Sequence, residues 1–161
     1  MPRSTIVTCI PGPRPRSTSA DVFSKLFVYT SAFYALEDAS DRHHGEAQAI
    51  HAWCLHARPL LFTTHHVMDE SITLLGARLR PAHAALFARR LLTSRAIHLV
   101  RTDEALEHAA LIVYERLDDA RLSFTDCVSF AVMHALDIPA AFAFDHDFER
   151  AGFQRLDAHA L

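Results

Sequence analysis

Residues 26–36 read LFVYTSAFYAL, and how this stretch is divided decides the architecture. Leu26 to Thr30 is a short apolar run, of a length that suits a buried strand better than a helix. The pattern outward from it alternates. A helix is predicted over Ala47 to Ala57, a second strand over Leu60 to Thr63, and helices over Val67 to Leu79 and Ala84 to Leu92, separated by Pro81. A third strand is predicted over Ile97 to Val100, helices over Glu104 to Leu117 and Phe124 to Leu136, and a fourth strand over Ala141 to Phe144. Strands alternating with helices imply an α/β fold: a three-layer α/β/α sandwich around a central, mostly parallel sheet.

The chain has 161 residues, enough for one domain and a tail. Four of the seven prolines fall within the first fifteen residues among Arg, Ser and Thr, so residues 1–22 read as a flexible leader and 23–158 as the folded unit. Sixteen basic residues against nineteen acidic ones give a formal charge of −3, which excludes a strong global attraction to nucleic acid or membrane. Any basic site must be local. Lys25 is the only lysine against fifteen arginines, a bias that says more about coding than about function. Cys9, Cys54 and Cys127 are odd in number and lack C-x-x-C spacing, which argues against a disulfide framework or structural zinc and points to a reducing cytoplasm. No run without an Asp, Glu, Lys or Arg, Cys127 to Leu136 included, approaches the ~20 residues of a membrane span.

Three acids stand at element ends or interrupt apolar surroundings: Glu70, Asp126 and Asp145, with Asp147 beside the last. Carboxylates that converge at strand ends repel one another unless hard cations such as Mg²⁺ or Mn²⁺ neutralise them. That would be a centre for phosphoryl chemistry. On spacing alone a plainer reading is equally open, with Asp126 a helix cap, Glu70 a solvated helix residue and Asp145 a turn residue. Ser123 and Asp126 have capping-box spacing, and Thr64 is placed to cap the helix carrying Glu70.

The stretches FVYTSAFYAL (27–36), TTHHVMDESITLL (63–75), SFTDCVSFAVM (123–133) and AFDHDFERAGF (143–153) resemble, in order and spacing, the successive motifs of PIN domains. They are most similar to those of the VapC-type toxins of prokaryotic toxin–antitoxin pairs. The resemblance covers about 23–157. It implies a PIN-like α/β/α sandwich and a Mg²⁺- or Mn²⁺-dependent endoribonuclease in which a metal-bound water attacks an RNA phosphodiester. It also implies an RNA substrate, a cognate antitoxin as partner, a homodimer and a cytoplasmic setting. By position, Glu70, Asp126 and Asp145 correspond to the family's catalytic, metal-holding acids and Asp147 to an accessory metal ligand. Ser31 corresponds to the small hydroxyl residue supporting the metal shell, and Asp41 and His44 to a D-x-x-H loop.

One position departs from the family. Its first motif reads V-D-T-S-A, the aspartate ligating the metal, whereas this chain has Val28, Tyr29, Thr30, Ser31 and Ala32. A phenol is neutral at pH 7, offers one weak oxygen and is much bulkier than a carboxylate. Loss of ~4 kcal/mol of transition-state stabilisation would slow the reaction about a thousandfold. The alternative reading is therefore a degenerate PIN domain that binds RNA or an antitoxin without cutting. Glu37 and Asp38, about two helical turns on, are candidates to replace the lost acid, but their side chains are expected to point away.

Of twelve histidines, none forms H-E-x-x-H or zinc spacing with a cysteine, so most read as surface residues. His65 and His66 are candidates to face the acids. Cys127 reads as a small core residue. With four glycines and no phosphate-cradling motif, ATP and NAD binding are not expected. Arg78, Arg80, Arg89, Arg90 and Arg95 are either an RNA-binding rim or a solvated helix face. The apolar surplus of the same helix pair would suit a dimer contact.

Overall fold

The computed structural model describes residues 23–117, 119 and 121–161; the leader expected over 1–22, with Cys9, lies outside the described residues. Five strands form one sheet: β1 (Lys25–Val28), β2 (Leu60–Thr64), β3 (Ile97–Val100), β4 (Ala140–Phe142) and β5 (Gln154–Arg155). Their order is β3-β2-β1-β4-β5, and all four pairings are parallel. The described helices are α1 (Thr30–Glu37), α2 (His44–Ala57), α3 (His65–Arg78), α4 (Pro81–Thr93), α5 (Glu104–Leu117), α6 (Phe124–Ala135) and the single turn α7 (Asp147–Arg150). No described helix is long and apolar enough to cross a membrane.

The register follows from burial. Leu26, Phe27 and Val28 of the central strand are buried on both sides, as expected where helices cover both faces of a parallel sheet. Phe27 packs towards Phe148, while Val28 and Phe142 face a cleft of about 790 Å³ walled by residues of α1, α2 and α4, Phe87 and Leu91 among them. The other side is filled by α6, whose residues Asp126 to Met133 are all buried. That is why its sequence from Cys127 to Met133 is apolar but for Ser129, whose hydroxyl donates to Thr125 O.

The strand order reverses at β1: β2 and β3 lie on one side and β4 and β5 on the other. In open parallel sheets ligands bind outside the carboxyl ends of the strands at such a switch point. Tyr29 follows β1 directly, Glu70 lies in the helix after β2, and Asp145 stands three residues beyond the end of β4.

The predicted elements need four corrections. The first strand ends at Val28, and Thr30, read as its last residue, instead opens α1, which the uninterrupted apolar pattern had concealed. The fourth strand is Ala140–Phe142, so Ala143 and Phe144 separate it from Asp145. The fifth strand and α7, of two and four residues, are too short to show periodicity. Pro81 does not merely separate two helices: it is the first residue of α4, where its missing N–H costs nothing.

Candidate active site

Three consecutive hydroxyl residues at the end of β1 each donate to one acid from a different element. The Tyr29 hydroxyl donates to Asp126 Oδ1 at 2.6 Å, Thr30 Oγ1 to Glu70 Oε2 at 2.5 Å, and Ser31 Oγ to Asp145 Oδ2 at 2.6 Å. Short O–H···O⁻ distances mark charge-assisted bonds. The structure thus brings Glu70, Asp126 and Asp145 to one place, where the charges of Asp126 and Asp145 both act on Glu70.

Each acid is set by local backbone chemistry. Ser123 and Asp126 form the reciprocal capping box: Asp126 N donates to Ser123 Oγ, and Ser123 N donates to Asp126 Oδ2 at 2.7 Å. Ser123 Oγ lies 2.8 Å from the same Oδ2, so both Asp126 oxygens are engaged. Glu70 rides on α3, whose first turn is capped by Thr64 accepting from Val67 N at 3.2 Å. Ser31 Oγ also accepts from Phe144 N at 3.0 Å, which ties the start of α1 to the backbone before Asp145.

Tyr29 is part of the core rather than a rim residue. It is 5% exposed, its ring meets Phe148 edge-on with centroids 4.9 Å apart, and its N–H donates to Phe142 O. Burial first, then the negative charge of Asp126, holds its hydroxyl far above the ordinary phenol value, so it is a neutral donor at any physiological pH. Burial also raises the Glu70 carboxyl, against the pull of the Thr30 hydrogen bond.

Asp147 is placed differently. Its Oδ1 accepts from Arg150 Nη1 at 2.7 Å, and Arg150 continues to Asp119, which also holds Arg121. Glu37 and Asp38 do turn away, as expected: Glu37 is bound by His83 and Arg90, and Asp38 by Tyr34 and Ser40. His65 and His66 reach the end of β3 and its following loop, His65 Nδ1 donating to Val100 O and His66 Nε2 lying 3.2 Å from Thr102 Oγ1. Asp41 Oδ1 accepts from His43 N, and His44 Nδ1 donates to Ala35 O. Cys127 is fully buried, with its thiol pushed up to about 11, as befits a core residue.

Sequence reasoning missed His43, whose ring stacks on Phe144 with centroids 4.3 Å apart, one residue before Asp145. No signal in the sequence links these two distant positions. The 790 Å³ cleft is lined by none of the three acids.

PIN-domain nucleases of the VapC type depend on a divalent metal. The residues present here do not fit one as arranged. Glu70, Asp126 and Asp145 share a neighbourhood, but among the described residues no group of three His, Cys, Asp or Glu side chains is arranged so that it could hold a metal ion. The first position supplies a neutral donor, and both oxygens of Asp126 already accept hydrogen bonds.

A PIN-domain family profile matches residues 26–154. The 23S rRNA-specific endonuclease VapC20 of Mycobacterium tuberculosis is 38% identical over 128 residues, covering 80% of this chain and 95% of that protein. A VapC ribonuclease of Archaeoglobus fulgidus is 30% identical over 113 residues, covering 69% of this chain and 71% of that one. The crystal structure of M. tuberculosis VapC20, described as a sarcin-ricin loop cleaving toxin, superposes with a TM-score of 0.74 at 34% identity, covering 82% of this chain and 98% of that one. VapBC2 of Rickettsia felis shares the fold alone, with a TM-score of 0.60 at 8% identity over 82% of this chain and 97% of that one. On its motifs, its sheet order and these relatives, the chain belongs to the PIN-domain family and is of the VapC type.

Proposed function

We propose that this chain is the toxin component of a toxin–antitoxin pair, built as a cytoplasmic endoribonuclease for ribosomal RNA but with its phosphodiester hydrolysis held down by Tyr29. The observation that carries this reading is the convergence of Glu70, Asp126 and Asp145 at the carboxyl edge of the sheet. It occurs in a chain 38% identical, over 128 residues, to an endonuclease of 23S rRNA. Catalytic roles fall to these three acids, and Mg²⁺ or Mn²⁺ is the metal of the unaltered centre. Asp147, tied to Arg150, would contribute only after leaving that pair.

The exposed arginines Arg78 at the end of α3, Arg80 just before α4 and Arg89 within α4 suit phosphate contacts, whereas Arg90 is committed to Glu37. A homodimer is the expected assembly, with the exposed Leu86 and Leu92 of α4 available to a second copy. An antitoxin is the expected regulatory partner. The hydrogen bond from Tyr29 to Asp126 specifically favours the second reading, a PIN domain that binds RNA or antitoxin without cutting.

The test is cleavage of ribosomal RNA in Mg²⁺ or Mn²⁺ by the native chain and by Tyr29→Asp, with Asp126→Asn as blank. Tyr29→Asp is expected to cut about a thousandfold faster, the equivalent of ~4 kcal/mol. Equal rates above the blank would show that Tyr29 is tolerated. Silence from both would put the binding reading ahead.

A further inference from the structure

The acids of this pocket should repel one another, yet the structure satisfies each with a proton donor from the chain itself. Residues 29, 30 and 31 deliver three hydroxyls in sequence to Asp126, Glu70 and Asp145, which lie 97, 40 and 114 positions away from their respective donors. Serine and threonine hydroxyls rotate freely and can accept as readily as donate, so they can release a carboxylate to another partner. Tyr29 cannot do so easily. Its ring is fixed between the backbone bond to Phe142 and the edge-on contact with Phe148, and its oxygen is therefore held against Asp126 Oδ1.

We propose that the Tyr29 phenol is a built-in lock, a neutral donor occupying the Asp126 oxygen that a divalent cation would need, so that this domain folds and persists independently of metal. This rests on reading the three acids as the hydrolytic centre. The lock has two separable parts: the lost carboxylate and the added hydroxyl. Removing only the hydroxyl should free Asp126 Oδ1 while the ring stays seated on Phe148.

The experiment is Mn²⁺ binding, read by electron paramagnetic resonance of free Mn²⁺, together with thermal unfolding in Mn²⁺ or EDTA. It compares native protein, Tyr29→Phe, Tyr29→Asp and Tyr29→Asp combined with Asp126→Asn. Native protein is expected to show no saturable binding and the same Tm in Mn²⁺ and EDTA. Tyr29→Asp is expected to bind Mn²⁺ saturably and to melt higher in Mn²⁺ than in EDTA, an effect abolished by the added Asp126→Asn. Tyr29→Phe is expected to bind more weakly than Tyr29→Asp but to gain a Mn²⁺-dependent rise in Tm that the native protein lacks.

Saturable Mn²⁺ binding by the native chain that Asp126→Asn removes would overturn the lock. So would a Tyr29→Phe protein as indifferent to Mn²⁺ as the native one. If Tyr29→Asp binds Mn²⁺ yet leaves RNA intact, the lock stands and the nuclease reading fails.

Discussion

Tyr29 and Asp126 are 97 residues apart in the chain, and the phenol of the first donates to the carboxylate of the second at 2.6 Å inside the protein. With Tyr29 at 5% and Asp126 at 7% exposure, both groups are largely shielded from water, so the phenol and Asp126 Oδ1 rely on this bond while Oδ2 is held by Ser123. A double-mutant cycle of Tyr29→Phe and Asp126→Ala in urea unfolding should give a coupling of about 1–3 kcal/mol. Asp126→Ala alone should cost more than Tyr29→Phe, because it also removes the helix cap made with Ser123. Additive behaviour would mean the bond contributes nothing to stability.

Phe148 is fully buried and meets Phe27, Tyr29 and Phe130, so it supports the central strand, the site tyrosine and α6 together. Phe148→Ala should cost about 3–5 kcal/mol in a chemical denaturation curve. Phe148→Leu should recover most of that loss, and it should do so without freeing Asp126 from Tyr29.

The raised Glu70 carboxyl makes a pH prediction whose sign is fixed by linkage. Burial lets the folded chain hold a proton above the ordinary glutamate value, where the unfolded chain has already released it. This contribution to stability is complete below the unfolded value and is lost as pH rises through the folded one. Glu70→Gln keeps an acceptor for Thr30 but no charge, so its urea midpoint should change less with pH between about 4 and 8 than that of the native protein. It should also equal or exceed the native midpoint at neutral pH.

Glu37 joins α1 to α4 through His83 at 2.6 Å and Arg90 at 2.7 Å. Because Arg90 is half exposed, the Glu37–Arg90 coupling should be small, about 0.2–1 kcal/mol, and should shrink in high salt. A cycle of Glu37→Gln and Arg90→Ala at low and high ionic strength would measure both properties.

The alternation of strands and helices was legible because buried parallel strands and amphipathic helices differ in length and period. β3 and α5 have the predicted bounds, and the Ser123–Asp126 capping box and Thr64 cap form as their spacing predicts. The break between β1 and α1 was not legible, because Leu26 to Leu36 has no polar punctuation beyond Thr30 and Ser31, and both faces of it are covered. Within the site, Glu70, Asp126 and Asp145 could be singled out from residue type and position. Their pairing one to one with the hydroxyls of residues 29–31 could not, since it depends on where α3, α6 and the end of β4 come to rest. Nor could the commitment of Asp147 to Arg150, which depends on the single turn α7.

The parallel sheet, with its first strand at the centre, also governs when the acidic cluster can exist during synthesis. β1 leaves the ribosome early, but Asp145 follows Ser31 by 114 residues, and the β4 strand that stands beside β1 emerges just before it. A nascent chain halted after α5 has neither Asp126 nor Asp145 to offer. In a Tyr29→Asp variant, a complete set of acids would therefore arise only after α6 and β4 have been made. Translation itself would act as a delay, separating the appearance of β1 from the assembly of the acids around it.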